Sequence, residues 1–365
     1  MQINNNIRAI ILIIILFVAY SINAQQLFPV QNSEGKYGFI NAKGTVVINT
    51  IYDSAFYFSD GYCCIREGNQ WGYIDSLGEM VIQPQFDSTF TFNDGLALVF
   101  KDSMAGYIGA DGEYKIEPRY FDGMSFSDGM ALVKYKEDTW GFIDNQGVLR
   151  IKEFPIYEFT IRDYGPEKLY YGLPFFHSGF VSYNQNNSVF LDKKGRKHKY
   201  KNQILNDFNV SDGVFVAYDD QDKKDYYINK KGKRIISDTY SAISYFIDGY
   251  AWVLSCEDDS SIFYYIDKQG KKVDSVAFEV FCPYSSIINL GNGVACTYDY
   301  KHTDTRGLII FSLGGDSVKV CKLPFYYPDN HSDIMIQNTL FLTCIEGGKV
   351  YINIKGTVVS KYHIH

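Results

Sequence analysis

The sequence predicts an all-β protein made of tandem repeats, each repeat being a short antiparallel β-meander. The composition is rich in strand-forming aromatics and turn-forming glycine, with 31 Tyr, 27 Phe and 31 Gly but only 9 Pro in 365 residues. An aromatic-Ile-Asp-x-x-Gly motif recurs along the chain, and several copies are preceded by an Asp-Gly pair and an apolar stretch. We expect neighbouring meanders to stack, because one meander alone cannot bury its apolar face.

The repeat is anchored on the apolar residue that follows the aromatic of this motif. In the first half the spacings are 34, 34 and 35 residues, between the anchors Ile40, Ile74, Ile108 and Ile143. The motif continues more weakly, with spacings of 48, 37, 38, 44 and 42 residues and the anchors Leu191, Ile228, Ile266, Ile310 and Ile352. A glycine follows every anchor by four residues, at Gly44, Gly78, Gly112, Gly147, Gly195, Gly232, Gly270, Gly314 and Gly356. Nine such coincidences indicate a structural requirement for glycine.

Each unit contains three segments that are typical of strands. LALVF or MALVKY follows the Asp-Gly turn, WGYID comes next, and EMVIQP or TVVIN lies beyond the motif glycine. The I-D-x-x-G segment predicts a hairpin loop in which Asp or Asn bonds back to the backbone and Gly adopts a positive φ. Trp71 and Trp140 are interpreted as packing anchors between units. Gly72 and Gly141 are expected to be small because a side chain or another backbone packs over the strand.

These units resemble the WG repeat, also called the KWG repeat. The resemblance rests on KYGFINAKGTVVINTIYD with FSDG (36–61), QWGYIDSLGEMVIQPQFD with FNDG (70–95), AGYIGADGEYKIEPRYFD with FSDG (105–129) and TWGFIDNQG (139–147). From about residue 154 the units keep the aromatic-Ile-Asp-x-x-Gly core but lose the Trp and most Ile-x-Pro elements. The resemblance implies a β-rich repeat module that acts in binding and has no catalytic residues to transfer.

Two architectures fit such an array. The short units of variable length favour an open superhelical array slightly over a closed β-propeller. We divide the chain into a signal peptide (1–24), well-matched WG repeats (25–150), an irregular repeat with an insertion (151–187) and divergent repeats of the same array (188–365). The insertion is interpreted either as a binding loop or as a tolerated surface loop.

The amino terminus is typical of a signal peptide. Arg8 precedes a continuously apolar run from Ala9 to Tyr20, and Ala24 ends a short segment suited to signal peptidase. The run is shorter than the roughly 18 residues needed to span a bilayer. We therefore expect an exported protein, periplasmic, outer-surface or secreted, with no stable membrane span after cleavage near Gln25. An uncleaved anchor is the alternative.

The seven cysteines are expected to be buried small apolar residues. Cys64 occupies the place that Leu98 and Leu132 have in neighbouring repeats, and an odd number of cysteines cannot pair completely within one chain. A single disulfide among Cys256, Cys282, Cys296, Cys321 and Cys344 remains open. Cys63 and Cys64 would point to opposite faces of a strand, which disfavours a shared metal ion.

Composition and missing motifs exclude several function classes. The net charge is −7 with both signs interspersed along the chain, so the sequence predicts no basic stripe and no nucleic-acid partner. GxSxG, HExxH and phosphate-binding glycine loops are missing, and the acidic run at 220–225 lacks the Gly and Glu of a calcium loop. No enzyme activity, cofactor or metal is therefore expected.

The preferred hypothesis is an exported, non-enzymatic scaffold that mediates protein–protein interaction. The alternative is carbohydrate binding, in which exposed aromatics stack on sugar rings. The candidate residues for that role are Tyr170, Tyr171, Phe175, Tyr326 and Tyr327. A hydrolase site in the divergent half is a third hypothesis, which would need a perturbed carboxylate or His in a pocket.

Overall fold

The fold is described from a computed structural model. It describes residues 26–155, 162–164, 167–169, 176–183, 189–199, 204–219, 224–257, 260–278, 287–291, 294–299, 307–312, 335–337, 340–345, 348–353, 358–361 and 363–364. Every regular element in these residues is a β-strand. The strands of the first half are β1 Leu27–Asn32, β2 Tyr37–Asn41, β3 Val46–Tyr52, β4 Ser54–Ala55, β5 Tyr62–Glu67, β6 Gln70–Asp75, β7 Met80–Phe86, β8 Ser88–Thr89, β9 Ala97–Lys101, β10 Met104–Ile108, β11 Tyr114–Tyr120, β12 Asp122–Gly123, β13 Met130–Lys136, β14 Thr139–Asp144 and β15 Leu149–Phe154.

The second half continues in the same manner. Its strands up to residue 278 are β16 Arg162–Tyr164, β17 Glu167–Leu169, β18 Phe180–Ser182, β19 Val189–Asp192, β20 Lys197–Lys199, β21 Ile204–Ser211, β22 Val214–Asp219, β23 Lys224–Asn229, β24 Ala242–Ile243, β25 Tyr250–Glu257, β26 Ser260–Asp267 and β27 Lys272–Phe278. The remaining strands are β28 Ile287–Gly291, β29 Val294–Asp299, β30 Gly307–Ser312, β31 Met335–Gln337, β32 Leu340–Ile345, β33 Gly348–Asn353, β34 Val358–Lys361 and β35 His363–Ile364.

Strands that follow one another in the chain form small antiparallel sheets, as the sequence predicts. We number them sheet 1 (β1–β3), sheet 2 (β4–β7), sheet 3 (β8–β11), sheet 4 (β12–β15), sheet 5 (β18–β20), sheet 6 (β21–β23), sheet 7 (β24–β27), sheet 8 (β28–β30) and sheet 9 (β31–β34), with β16 and β17 as a separate hairpin. In sheets 2, 3, 4 and 7 a two-residue strand precedes the three long ones. The predicted meander of three strands is thus confirmed, and these four sheets add a short fourth strand.

The pairing register places two kinds of turn at one end of each sheet. In sheet 2, Tyr62 at the start of β5 pairs with Asp75 at the end of β6, whereas Glu67 pairs with Gln70 at the other end. The Asp-Gly turn that precedes β5 and the I-D-x-x-G hairpin that follows β6 therefore lie at the same end. We call the surface formed by these two kinds of turn the turn face, and the other end the opposite face.

The hydrophobic core lies between consecutive sheets. One cluster joins sheets 1 and 2, the next joins sheets 2 and 3, and further clusters continue in the same way to sheet 7. Each meander thus buries its apolar faces against its neighbours. An edge-to-face or tilted ring pair recurs across the interfaces with centroids 4.8 to 5.0 Å apart, in Phe39–Phe58, Tyr73–Phe92, Tyr107–Phe126, Phe142–Phe176 and Tyr227–Phe246.

The first and last strands of the described chain belong to one sheet. Gln31 pairs with His363 and Asn32 with Ile364, so β35 lies parallel to β1. An open array would leave the first and last repeats apart. The preference for an open superhelix over a closed propeller is therefore not confirmed.

Two cysteines are described with their side chains. Cys63 and Cys64 are not part of a disulfide, and both are fully buried. Cys63 lies in the core between sheets 1 and 2, and Cys64 lies in the core between sheets 2 and 3, on the opposite side of the strand. Burial raises the pKa of the Cys63 thiol well above its usual value. The question of a disulfide among the other five falls outside the described side chains.

The described residues contain no helix with the length and apolar character required to cross a membrane. The segment interpreted as a signal peptide, residues 1–24, lies outside the described residues.

Candidate binding surface

The I-D-x-x-G hairpins of the turn face have the geometry that their sequence implies. In sheet 2 the Asp75 carboxylate accepts hydrogen bonds from the backbone N–H groups of Leu77 and Glu79, both at 2.9 Å. Within the described residues the motif glycine has a φ between 73° and 84°, at Gly44, Gly78, Gly112, Gly147, Gly195, Gly232 and Gly270. A side chain is strained at such a φ.

The same glycine also allows close contact with the preceding sheet. A Cβ on Gly78 would lie 3.3 Å from Ile48 of sheet 1, and one on Gly147 would lie 3.3 Å from Ile116 of sheet 3. Glycine at this position therefore serves both the turn and the sheet-to-sheet packing.

The glycine of each Trp-Gly pair lies beneath the third strand of its own sheet. Trp71 pairs with Phe86 and Tyr73 pairs with Ile82, so β7 bulges across Gly72. A Cβ on Gly72 would lie 2.4 Å from the Ile82 carbonyl oxygen, and one on Gly141 would lie 2.5 Å from that of Ile151. Glycine is required here because the backbone of the third strand packs directly against it.

The two tryptophans of the Trp-Gly pairs have different exposures. Trp71 is 4% exposed and lies in the core between sheets 2 and 3, with its ring 5.3 Å from that of Phe56. Trp140 is only partly buried and packs against the core between sheets 4 and 5. Both rings contribute to packing between sheets.

Asp-Gly turns form the second row of the turn face. Asp60 and Gly61 both have positive φ, at 50° and 86°, and Ser59 and Tyr62 exchange two backbone hydrogen bonds around them. This is the geometry of a type I′ two-residue hairpin, for which Asp-Gly is a favoured sequence. The same pair of positive φ values recurs at 94–95, 128–129, 178–179, 212–213 and 248–249.

A ladder of hydrogen bonds connects these turns from sheet to sheet. The Asp60 carboxylate accepts a hydrogen bond from Gly95 N–H at 3.0 Å, and Asp94 accepts one from Gly129 N–H at 2.7 Å. The same bond joins Gly179 to Asp128 and Gly249 to Asp212. At residue 178 a Ser takes the place of the Asp.

Lysines of the divergent hairpins neutralise two members of this ladder. Lys193 lies 2.8 Å from the Asp128 carboxylate, and Lys268 lies 3.3 Å from that of Asp212. At the equivalent positions of sheets 3 and 4 the chain has Ala110 and Asn145. These contacts also show that the hairpins and the Asp-Gly turns adjoin on the turn face.

Among the hairpins that the structure describes up to residue 278, the turn face has an acidic half and a basic half. The hairpins of the first four sheets carry five acidic side chains and one Lys, over residues 41–46, 75–80, 109–114 and 144–149. The next three carry eleven Lys and Arg and two Asp, over residues 192–197, 229–234 and 267–272. We call these three the basic hairpins. The expectation that the chain has no basic stripe was wrong for this surface, because three separated segments are brought side by side.

Aromatic rings support one cation of each basic hairpin. The cation six residues after the repeat anchor lies 3.7 to 4.5 Å from a ring centroid, in the pairs Lys197–Tyr183, Arg234–Tyr226 and Lys272–Tyr264. Such contacts hold the charged group over the ring face. Tyr226 and Tyr264 occupy the position that Gly72 has in sheet 2.

Asp192, an acidic residue within the first basic hairpin, accepts hydrogen bonds from its own hairpin. The Asp192 carboxylate is partly buried, which raises its pKa, but hydrogen bonds from the Arg196 N–H and guanidinium and from His198 outweigh this and lower the pKa to about 2. This carboxylate is therefore ionised and occupied within its own hairpin.

Sheet 6 contains a half-buried carboxylate, Asp225, at the position that Trp71 has in sheet 2. Asp225 pairs with Tyr240, as Trp71 pairs with Phe86. Burial raises the pKa of Asp225 to about 6, although the Ile243 N–H that donates to it acts in the other direction. Burial, followed by the nearby Asp238 carboxylate, raises the pKa of Tyr240 to about 12. The described residues around this pair contain no group of three or more metal-ligating side chains.

The aromatic residues proposed for carbohydrate binding lie outside the described residues. They are Tyr170, Tyr171, Phe175, Tyr326 and Tyr327. Sequence reasoning missed the basic hairpins, although their signal is visible once the repeats are aligned as DKKGRK, NKKGKR and DKQGKK. Sequence reasoning also missed Asp225, because no motif in the divergent repeats shows that a carboxylate stands at the position of Trp71.

Three solved structures to which the chain is similar are remote in sequence. Dihydro-heme d1 dehydrogenase NirN in complex with DHE shares 10% identity, covering 92% of this chain and 78% of that one, with a TM-score of 0.43. A quinonprotein alcohol dehydrogenase-like protein from Bacteroides thetaiotaomicron shares 12% identity over 92% and 75%, with a TM-score of 0.32. Hsv2 from Kluyveromyces lactis shares 9% over 82% and 92%, with a TM-score of 0.32.

No curated protein sequence matches the chain. The family described as WG containing repeat matches residues 37–71, 71–103, 106–138 and 227–254. Three of these segments coincide with the repeats of sheets 1 to 4, and the fourth joins sheets 6 and 7. The chain therefore contains WG repeats, in both its regular and its divergent half.

Proposed function

We propose that this protein is an exported, non-enzymatic scaffold that binds another protein through its turn face. The observation that carries the proposal is the ladder of Asp-to-Gly hydrogen bonds, which ties together the turns of sheets 2 to 5 and those of sheets 6 and 7. Exposed loops fixed on a rigid framework are suited to recognition. Stacked repeats provide an extended surface without a catalytic cleft.

We further propose that the array is a closed ring of the propeller kind. The parallel pairing of β1 with β35 supports this, because it gives the first sheet a strand from the far end of the chain. Radial packing of this kind leaves only short, protected sheet edges and holds the turns on one side. A rigid turn face would bind with little loss of conformational entropy.

Site-specific photo-cross-linking tests the scaffold proposal. A photo-reactive amino acid at Asn145 or Gln269 lies exposed on the turn face, and one at Asn69 lies exposed on the opposite face. In the cells that make the protein, we expect the same partner adduct from Asn145 or Gln269 and none from Asn69. Adducts from Asn69 alone, or no protein adduct at any position, would contradict the proposal.

Carbohydrate binding stays a prediction from the sequence. It is tested by retention on immobilised polysaccharides, which Tyr170→Ala combined with Tyr171→Ala should abolish. Lack of retention on every polysaccharide would remove this alternative.

A further inference from the structure

The basic hairpins belong to three consecutive sheets that pack directly on one another. Phe180 of sheet 5 and Phe215 of sheet 6 have ring centroids 5.1 Å apart. Sheets 6 and 7 share a core that includes Tyr227 and Ile266. A Cβ on Gly270, inside the third basic hairpin, would lie 2.8 Å from Ile236, in the segment that follows β23 of sheet 6. The three hairpins therefore follow one another along the turn face.

Most cations of these hairpins face solvent. The exposed ones are Lys194, Arg196, Lys197, Lys230, Lys231, Lys233, Arg234, Lys271 and Lys272. Lys193 and Lys268 are used in the ion pairs with the turn aspartates, and Arg196 pairs with Asp192. Subtracting both turn aspartates still leaves a large positive excess on a chain whose net charge is −7. A local charge opposite to that of the whole molecule is a signal of recognition.

We propose that the three basic hairpins form a docking surface for an extended, carboxylate-rich segment of a partner protein. The inference rests on the proposed scaffold function and specifies the chemistry of its partner. Regularly repeated cations suit a segment whose acidic side chains also recur along an extended backbone. Lys predominates over Arg in these hairpins, which favours attraction of distributed charge over bidentate recognition of single groups.

The surroundings of the hairpins argue against two other anionic partners. A flat anionic membrane would also meet the acidic hairpins at 75–80 and 109–114 on the same face, and these would repel it. A sugar polymer would use free aromatic faces, but Tyr183, Tyr226 and Tyr264 each have a cation over the ring. A short acidic protein segment can occupy the basic half alone.

The test uses the full mature chain and a fluorescently labelled oligoglutamate peptide. We expect salt-sensitive binding, and we expect Lys194→Glu combined with Lys231→Glu and Lys271→Glu to weaken it about tenfold or more. Lys43→Glu is the matched control for Lys194→Glu, because Lys43 is exposed at the same position of the sheet 1 hairpin. Both single changes alter the net charge equally, so a difference between them reports on position. Because only Lys194 lies in a basic hairpin, only Lys194→Glu should weaken binding of the peptide. Circular dichroism confirms that each variant is folded.

Several results would overturn the inference. These are equal loss with Lys43→Glu and Lys194→Glu, no binding of the peptide at low salt, tighter charge-dependent binding to alginate or to phosphatidylglycerol vesicles, or salt-sensitive dimers formed by the chain alone. The scaffold function is tested separately, by the cross-linking experiment. A partner adduct from Asn145 that survives the triple charge reversal would refute the basic docking surface and leave the scaffold intact.

Discussion

Sheets 2 and 7 differ in how the third strand pairs with the second strand. In sheet 2 the third strand bulges across Gly72, so a side chain there would meet the Ile82 carbonyl. In sheet 7 the third strand pairs residue by residue with the second at this place, Tyr264 opposite Ser275, and the bulge comes only after Tyr265. Glycine in the Trp-Gly pair is therefore a consequence of the bulge and is not required by the meander itself.

The two kinds of sheet share their contact with the following repeat. The Tyr107 hydroxyl in sheet 3 donates to the Met124 carbonyl at 2.8 Å, and the Tyr227 hydroxyl in sheet 6 donates to the Ser244 carbonyl at 2.7 Å. Each tyrosine also packs against a Phe of the next Asp-Gly turn. Divergence within a repeat has thus been tolerated where the interface between repeats was kept.

The comparison predicts its largest effect at Gly72. Gly72→Ala should lower the free energy of unfolding by about 3 kcal/mol, because the new Cβ meets backbone atoms that cannot rotate away. Gly109→Ala is the control, since its nearest neighbour is the Lys115 side chain and its φ is not left-handed. Chemical denaturation measures both, and equal losses would show that the bulge is not the reason for glycine.

A smaller effect, of opposite sign, is expected at Asp225 in the divergent half. Its pKa in the folded chain is about 6 against a usual 3.8, so the folded state favours the protonated form. The resulting penalty is complete above pH 6 and disappears as the pH falls towards 3.8. Asp225→Asn should therefore raise stability by about 2 kcal/mol at pH 8 and leave it unchanged near pH 3.5.

Thermal unfolding of Asp225→Asn at both pH values measures this effect. Asp274→Asn, at an exposed position of β27, is the matched control and should change little at either pH. A gain for Asp225→Asn that is the same at both pH values would mean that ionisation of this carboxylate is not its cause.

The smallest predicted effect tests what the two halves have in common. Tyr107→Phe and Tyr227→Phe should each cost about 1 kcal/mol of stability, because each removes one hydrogen bond between neighbouring sheets. Phe fits sterically, since Phe142 occupies the equivalent position in sheet 4. Unequal losses in denaturant titrations would show that the repeat interface differs between the halves.

The local features of this fold could be predicted from sequence, and the long-range ones could not. A positive φ at Gly78 and the Asp75 hairpin follow from residues that are close along the chain. The pairing of Gln31 with His363 depends on the accumulated geometry of the whole array, which no local pattern encodes. The basic half of the turn face was not predicted for a related reason. Its cations come from three segments that are separated in the sequence and lie side by side only after the repeats stack.

The bond between Gly179 and Asp128 joins residues 51 positions apart, whereas the equivalent bonds of sheets 2 to 4 join residues 35 positions apart. The same Asp-to-Gly hydrogen bond forms despite the added sequence between these turns. The segment between residues 155 and 176 is thus a place where the repeat already tolerates extra length. It is the natural site for grafting a foreign loop or reporter into this protein.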